Sequence, residues 1–274
     1  MRETNGERSP RQQDSQSGIS RYRYDAVLLD LDGVITDTAG IHAACWKQMF
    51  DEYLQKRATQ RREAFHPFDV ATDYRLYVDG KPRYDGVRDF LTSRGIRLPE
   101  GSPDDPPQAE TVDGLGNRKN DLVNKIIEEK GVEPYEGSVT FIRRLRHQGF
   151  KIAVVTSSQN CTAVLKAAKL DHFFDLQVDG NVIHAEYLAG KRAPDTYLRA
   201  AQLLGVEPGR AVVIEDALSG VEAGAAGGFG LVIGVARKGN SEELQRHGAH
   251  LVVNDLGELA DLPTSTTLQG GTGQ

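Results

Sequence analysis

Sulfur and long apolar stretches are both scarce in this sequence. Cysteine occurs only twice in 274 residues, as Cys45 and Cys161, each within a helix-like segment among small or aromatic residues. Such cysteines are typical of reduced packing residues, so we expect neither a disulfide nor a catalytic thiol. No apolar stretch approaches membrane-spanning length, and the polar N-terminus lacks the apolar core of a signal peptide. We therefore expect a soluble, cytoplasmic protein.

Positive charge is also in deficit, because 33 Lys and Arg residues face 39 Asp and Glu residues, giving a net charge of −6. This balance argues against a surface for nucleic acid or anionic membrane, so an anionic substrate must be held by a local site. We expect a monomer with no nucleic-acid or membrane partner. Residues 1–20 and 263–274 are polar tails that cannot offset their ordering entropy, and we expect both to be disordered.

The most informative stretch spans residues 25–38, where an apolar run ends in two carboxylates and a glycine. Residues 27–29 are typical of a fully buried strand, so Asp30 is expected at its carboxyl end, where open α/β sheets bind ligands. Asp30 and Asp32 point the same way and repel each other unless a cation neutralises them. Their hard oxygen ligands suit Mg²⁺ and indicate a metal-assisted carboxylate nucleophile. A solvated acidic turn is the alternative, since Asp and Gly are ordinary turn residues.

Two later apolar runs also end in polar side chains. These side chains are Thr156, Ser157 and Ser158 after the first run, and Glu215 and Asp216 after the second. Lys191 lies between the two runs, in Gly190-Lys191-Arg192-Ala193-Pro194-Asp195-Thr196. Taken singly, hydroxyls often only cap a helix, and a loop lysine is usually solvated. Their occurrence in this order, three of the four groups directly after buried strands, predicts one shared site.

The sequence Asp-Leu-Asp-Gly-Val-Ile-Thr-Asp at residues 30–37 resembles the first motif of the haloacid dehalogenase (HAD) superfamily. Its continuation, Thr-Ala-x-x-His-x-x-x-Trp-Lys, resembles the β-phosphoglucomutase branch, and the three later polar groups resemble the second, third and fourth HAD motifs. The resemblance implies an α/β fold with a Rossmann-like parallel sheet core at 21–36 and 132–262. A helical cap at 37–131 would be inserted after the first strand.

The same resemblance implies phosphoryl transfer through an aspartyl phosphate on Asp30, with Asp32 as acid and base. Thr156 and Lys191 would stabilise the transferring group. Mg²⁺ would be held by Asp30, Glu215, Asp216 and a backbone carbonyl of Asp32. Arg192 replaces the usual proline of the third motif, and this departure would loosen the loop that carries the lysine.

Substrate contacts are predicted from both halves of the chain. The candidates are His42, Trp46, Arg88, Lys119, Ser157, Ser158 and Asn160. Arg88 follows a glycine and is expected to open a helix, where the helix dipole opposes a positive charge and favours a role in gripping an anion. Packing roles for His42 and Trp46, and solvated positions for Arg88 and Lys119, are the alternatives. We expect a loop over 99–113 and a helix over 122–130.

The resemblance favours a mutase that would interconvert β-glucose 1-phosphate and glucose 6-phosphate through a 1,6-bisphosphate, with a sugar phosphate as the small-molecule partner. If water is the acceptor instead, the same site would make the protein a sugar-phosphate phosphatase. A phosphosugar-binding module without catalysis is the remote alternative, because a fold of this class can also host binding alone.

Overall fold

The computed structural model describes residues 19–260. The predicted disordered tails lie outside the described residues except for Ile19 and Ser20. Ile19 packs half-buried against the core, and the carbonyl oxygen of Ser20 accepts hydrogen bonds from the backbone of Arg23 and Tyr24. Within residues 19–260, no helix is long and apolar enough to cross a membrane.

Six parallel strands form one sheet at the centre of the molecule. They are β1 (Ala26–Leu29), β2 (Lys151–Val155), β3 (Leu176–Val178), β4 (Ala211–Glu215), β5 (Leu231–Val235) and β6 (Leu251–Val253). The strand order is β3-β2-β1-β4-β5-β6, so the sheet grows outward in both directions from β1. A crevice opens at the carboxyl end of the strand where the order reverses. The predicted Rossmann-like parallel sheet is confirmed.

The central strands are almost entirely apolar because both faces of the sheet are covered; the charged residues Lys151 and Glu215 stand at the first position of β2 and the last position of β4. All four residues of β1 are buried, and Leu29 pairs in register with Val154 of β2 and Ile214 of β4. These three strands therefore end at nearly the same level. The polar residues that follow them are brought to one edge of the sheet.

Within residues 19–260, ten α-helices either pack around the sheet or belong to the segment inserted after β1. They are α1 (Ala39–Arg61), α2 (Arg83–Ser93), α3 (Val112–Lys130), α4 (Glu136–His147), α5 (Cys161–Ala167), α6 (Gly180–Ala185), α7 (Asp195–Leu204), α8 (Leu218–Ala226), α9 (Ser241–Arg246) and α10 (Gly257–Ala260). Val27 and Leu29 contact the layer that contains α4 and α5, whereas Ala26 and Leu28 contact the layer that contains α7 and α8. This alternation follows from the two-residue period of a strand and gives the core two apolar layers.

The helices inserted between β1 and α4 have an apolar cluster of their own. Phe50 of α1 lies at its centre, with ring centroids 5.3 Å from Trp46, 5.2 Å from Phe68 and 4.2 Å from Phe90. A π-helical segment, Val70–Val78, leads from α1 towards α2. The inserted segment is thus helical, as expected for a cap, while the predicted division at 37–131 stays a prediction.

Helix α3 begins ten residues earlier than the predicted helix over 122–130. The Thr111 hydroxyl accepts a hydrogen bond from the backbone N–H of Gly114 at 2.9 Å and caps the helix there. Gly116 then lets α3 approach the Tyr84 ring, because a Cβ at this position would lie 2.6 Å from a ring carbon. Close packing thus explains two glycines that weaken the helical pattern in the sequence. The proline-rich segment before Thr111 forms a loop, as predicted.

We predict that Phe50→Ala lowers the free energy of unfolding by about 3–5 kcal/mol, because it leaves a cavity among three aromatic rings. Chemical denaturation followed by circular dichroism measures the change. Leu76→Ala serves as the control, since Leu76 is 49% exposed and its loss should cost little. Equal effects of the two substitutions would show that the aromatic cluster does not stabilise the cap.

Candidate active site

The loop after β1 carries the first two carboxylates of the site. The backbone N–H of Asp30 still donates to Ile214 of β4 at 3.0 Å, so Asp30 is held by the sheet. Gly33 then takes φ +91° and closes a tight turn, in which its N–H donates to the carbonyl of Thr36 at 2.8 Å. This turn places the Asp32 side chain in the same cavity as Asp30.

Asp30, Glu215 and Asp216 form a buried carboxylate cluster, with one oxygen from each lying within 4.8 Å of the others. Burial, together with the neighbouring carboxylates, raises the pKa of Asp30 well above its ordinary value. The same causes raise the pKa of Asp216 to about 7. Because like charges at this spacing repel, the cluster favours a bound cation, and its oxygen donors fit Mg²⁺.

Lys191 is a cation that already lies within this cluster, while Lys238 contacts Asp216 from outside at 3.3 Å. Its ammonium contacts the Asp30 carboxylate, Glu215 Oε1 at 2.5 Å and the carbonyl oxygen of Val155 at 3.0 Å. Burial alone would lower the pKa of Lys191, but the two carboxylates outweigh it and raise the pKa. Lys191 is therefore charged and faces the group that we expect to carry the phosphoryl.

Arg192, which replaces the usual proline, does not prevent this arrangement. It takes a left-handed conformation with φ +44°, and its backbone N–H donates to the carbonyl of Ser219 at 3.3 Å. Its side chain turns outward to Glu222, 3.4 Å away. The loop is thus fastened from the core side while Lys191 points inward.

Glu215 uses its carboxylate mainly to organise the site. Oε1 accepts from Lys191 and, at 3.0 Å, from the hydroxyl of Tyr197, while Oε2 accepts from the backbone N–H groups of Asp216 and Ala217. A carboxylate offers about four lone-pair positions, and these four donors fill them. Asp30 and Asp216 are therefore better placed than Glu215 to bind a metal directly, whereas Glu215 fixes the lysine and the turn.

Asp32 is contacted by Thr38 and His42, which lie where the chain enters the cap. The Thr38 hydroxyl donates to Asp32, and Nε2 of His42 lies 3.4 Å from Asp32 Oδ1 with no hydrogen-bond partner within residues 19–260. Nδ1 of His42 meets the ammonium of Lys119 at 2.7 Å. Burial, with the facing lysine, lowers the pKa of His42 to about 4. Neutral His42 can thus donate or accept a hydrogen bond beside Asp32.

Lys119 reaches the cavity from α3. Its ammonium lies 5.0 Å from the centroid of the Trp46 ring, and burial, followed by the charge of Arg83, lowers its pKa to about 7. An anion in the cavity would stabilise the charged form and reverse that shift. Lys119 therefore gains its full charge most readily when an anionic substrate is bound.

Most of the predicted site residues line one cavity between the core and the cap. They are Asp30, Asp32, His42, Trp46, Lys119, Thr156, Ser157, Ser158, Asn160 and Asp216. Lys191 and Glu215 lie directly behind Asp30, with almost no exposed side chain. The structure thus brings together every predicted site residue except Arg88.

Arg88 lies outside this cavity, and the prediction that it opens a helix is wrong. Helix α2 begins at Arg83, directly after Pro82, so Arg88 falls in its second turn. There it is exposed and neutralised by Asp85 at 2.6 Å and Glu100 at 2.7 Å. A side chain already paired with two carboxylates on the surface is a poor candidate for holding a substrate phosphate.

Arg83 occupies the position that we had expected of Arg88. Its guanidinium lines the cavity, donates to Gln159 of the core and forms no ion pair with a carboxylate of residues 19–260. Burial lowers its pKa, as it does for any desolvated cation. The signal in the sequence is Gly80-Lys81-Pro82-Arg83, because proline commonly precedes or begins a helix and the dipole argument applies to the arginine that follows.

Two hydrogen bonds, each from a serine hydroxyl of the core to a backbone carbonyl of the cap, join the cap to the core. The Ser157 hydroxyl donates to the carbonyl of Gly80 at 2.7 Å, and the Ser219 hydroxyl donates to the carbonyl of Asp79 at 3.0 Å. Gly80 takes φ +71° and fits closely against Ser219, where a side chain would collide. Ser157 is thus engaged with the cap, and sequence reasoning missed Asp79, Gly80 and Ser219.

A family model described as haloacid dehalogenase-like hydrolase matches residues 24–228, more than half of the chain. The chain belongs to this family. The predicted superfamily membership is therefore confirmed, and membership implies an enzyme that transfers phosphoryl groups.

Individual relatives agree with this assignment. The chain is 54% identical over 237 residues to a β-phosphoglucomutase of Mycobacterium tuberculosis (strain CDC 1551), covering 85% of this chain and 90% of the relative. It is 29% identical over 213 residues to a fructose-1-phosphate phosphatase of Escherichia coli (strain K12), covering 77% and 96%. A crystal structure of β-phosphoglucomutase from Clostridium difficile matches the fold with a TM-score of 0.69 and 24% identity, covering 86% of this chain and 93% of that one.

We predict that Gly33→Ala weakens Mg²⁺ binding at least tenfold. Alanine disfavours φ +91° by about 1–2 kcal/mol, and its Cβ would collide with the carboxylate of Asp216. Isothermal titration with Mg²⁺ measures the change. Gly95→Ala is the matched control, because Gly95 also has positive φ but no atom lies within 4 Å of the added Cβ. Unchanged Mg²⁺ affinity in Gly33→Ala would argue against Asp216 as a metal ligand.

Proposed function

We propose that this enzyme is a Mg²⁺-dependent mutase that converts β-glucose 1-phosphate to glucose 6-phosphate through a 1,6-bisphosphate. The observation that carries this proposal is the presence of two cationic groups at opposite sides of the site. Lys191 lies behind Asp30, which lines the cavity, and half-buried Arg83 lines the same cavity without an ion-pair partner among the carboxylates of residues 19–260. A substrate with two phosphates matches both cationic groups, and the 54% identical relative carries the name of this mutase.

In the proposed reaction, a carboxylate oxygen of Asp30 attacks the phosphorus of the bisphosphate. The bond between phosphorus and the sugar oxygen breaks, and Asp32 protonates the leaving oxygen. Lys191 and the Thr156 hydroxyl stabilise the charge of the group in transfer. In the second half-reaction, Asp32 takes a proton from the hydroxyl of the acceptor sugar phosphate, whose oxygen attacks the phosphorus of the aspartyl phosphate. The bond between phosphorus and the Asp30 oxygen breaks, and the free carboxylate of Asp30 is regenerated.

A Mg²⁺ ion bound by Asp30, Asp216 and a backbone carbonyl of Asp32 would neutralise phosphoryl oxygens and reduce repulsion within the carboxylate cluster. Thr38 and His42 orient Asp32 towards the leaving oxygen. Arg83, Lys119 and Asn160 are proposed to hold the phosphate that does not react. The closed cap limits water, which would otherwise compete with the sugar hydroxyl for the aspartyl phosphate.

A sugar-phosphate phosphatase is the second candidate function. It uses the same aspartyl phosphate with water as the acceptor, and the 29% identical fructose-1-phosphate phosphatase supports it. Membership in an enzyme family leaves little support for a module without catalysis. A monomeric state remains a prediction.

The decisive experiment supplies Mg²⁺, β-glucose 1-phosphate and a trace of glucose 1,6-bisphosphate, and follows glucose 6-phosphate and free phosphate together. We expect glucose 6-phosphate without matching phosphate release, and loss of activity in Asp30→Asn, which lacks the nucleophile. Phosphate released in step with substrate consumption would refute the mutase in favour of the phosphatase. Product formation by Asp30→Asn at the wild-type rate would refute the aspartyl-phosphate route for both.

We predict that Arg83→Gln raises KM for β-glucose 1-phosphate by roughly tenfold to a hundredfold, because a charged hydrogen bond to phosphate contributes about 1.5–3 kcal/mol. Steady-state kinetics under the same conditions measure the change. Arg88→Gln is the matched control, with the same substitution one and a half turns along α2 but outside the cavity. A larger effect in Arg88→Gln would contradict the assignment of Arg83.

A further inference from the structure

Arg237 lies just after β5, and its guanidinium contacts four other residues. Nε donates to the carbonyl oxygen of Gly33 at 3.1 Å, one terminal nitrogen forms an ion pair with Asp255, and the other donates to the Ser138 hydroxyl at 3.3 Å. The guanidinium carbon also lies 3.6 Å from the centroid of the Tyr135 ring. Planar stacking combined with several donors is a geometry that lysine cannot reproduce.

The contact with Gly33 connects Arg237 to the loop after β1, which carries Asp30 and Asp32. Gly33 directly follows Asp32, and its Cα lies against the carboxylate of Asp216. Its carbonyl oxygen points to the other side, towards Arg237. Arg237 therefore fixes the orientation of the peptide group between Gly33 and Val34, one residue beyond the proposed acid and base.

The contact with Tyr135 connects Arg237 to the two linkers that lead into and out of the cap. The backbone N–H of Tyr135 donates to the carbonyl of Ile35 at 3.0 Å, and its hydroxyl donates to Asp37 at 2.8 Å. The backbone N–H of Asp37 in turn donates to the carbonyl of Glu133 at 3.0 Å. The linker that enters the cap and the linker that returns from it are thus hydrogen-bonded to each other, and the Tyr135 ring stacks against the guanidinium of Arg237.

The partners of Arg237 are themselves fixed to the core. The Ser138 hydroxyl donates to the carbonyl of Val34 at 2.6 Å, and Asp255 accepts from the backbone N–H of Gly257 at 2.7 Å. The guanidinium therefore connects the loop after β1 and the two cap linkers to α4 and to the segment after β6.

We propose that Arg237 is a positioning residue that keeps Asp32 aligned with the leaving oxygen of the substrate when the cap is closed. This inference rests on the proposed role of Asp32 as acid and base. Arg237 touches neither the substrate nor the reacting atoms. Its effect should therefore be largest in steps that require proton transfer by Asp32, whereas a general defect of the loop or of its metal-binding groups would slow phosphorylation by every donor equally.

The test compares two phosphoryl donors in wild type and Arg237→Lys. Transfer from glucose 1,6-bisphosphate to Asp30 requires a proton on the leaving sugar oxygen, whereas transfer from acetyl phosphate releases acetate and requires none. Rapid quench and intact mass measure the phosphorylation of Asp30 in each case. Asp32→Asn is the reference for complete loss of the acid, and Arg146→Lys is the matched control, because Arg146 also pairs with an aspartate, Asp175, on the surface.

We expect Arg237→Lys to slow phosphorylation by the bisphosphate about 10- to 100-fold, since small misplacements of a catalytic group have effects of this size. Phosphorylation by acetyl phosphate should stay within about threefold of wild type, as should both rates in Arg146→Lys. Equal losses with both donors, or no loss with either, would overturn the inference. If Asp32→Asn itself slows both donors equally, the proposed chemistry is wrong and the inference falls with it.

Tyr135→Leu is a second variant in case Arg237→Lys does not fold. It removes the ring on which the guanidinium lies but leaves the bond from Arg237 to Gly33 available. We expect the same selective loss with the bisphosphate, of smaller size. Wild-type rates with both donors in this variant would overturn the link between the linkers and Asp32.

Discussion

The site depends on a buried cluster of opposite charges at the carboxyl end of β1. Lys191 contacts Asp30 and Glu215, and all three side chains are almost entirely excluded from water. A single buried charge would be destabilising by several kcal/mol, and an ion pair offsets this only when further hydrogen bonds satisfy both partners. The hydroxyl of Tyr197 and two backbone N–H groups supply those bonds to Glu215. Asp30, the proposed nucleophile, is therefore positioned before a substrate arrives, which is a condition for electrostatic catalysis.

The cap supplies what the core lacks. The core has the carboxylates, the lysine and the hydroxyls that are proposed to act on one phosphoryl group. Arg83 and Lys119 come from the cap, and burial lowers the pKa of each, so a bound anion would stabilise their charged forms. Gly80 allows close approach of the two parts, because its contact with Ser219 leaves no room for a side chain. The proposed recognition of a second phosphate and the contact between cap and core consequently use the same segment, the one that begins α2.

The sequence predicted the core of the site well because its signals are local. Asp30, Thr156 and Asp216 each follow a buried apolar run, and parallel strands in register bring their ends together. In the cap, the choice between Arg83 and Arg88 depended on where α2 begins, and a one-turn error exchanges a cavity residue for a surface residue. Arg237 could not be found at all, since its partner Gly33 lies 204 residues away and a lone arginine carries no pattern.

The position of the cap and the position of Asp32 are physically inseparable in this structure. Thr38, whose hydroxyl holds the Asp32 carboxylate, lies directly after Asp37, where the two linkers are bonded. A rotation of the cap about these linkers would move Thr38 and break its hydrogen bond to Asp32. In the proposed mechanism, Asp32 would thus be held in place only while the cap lies against the core. The proposed mutase reaction, which passes a phosphoryl group between two sugar oxygens and not to water, requires this coupling, because an aspartyl phosphate exposed beside an active base would be hydrolysed.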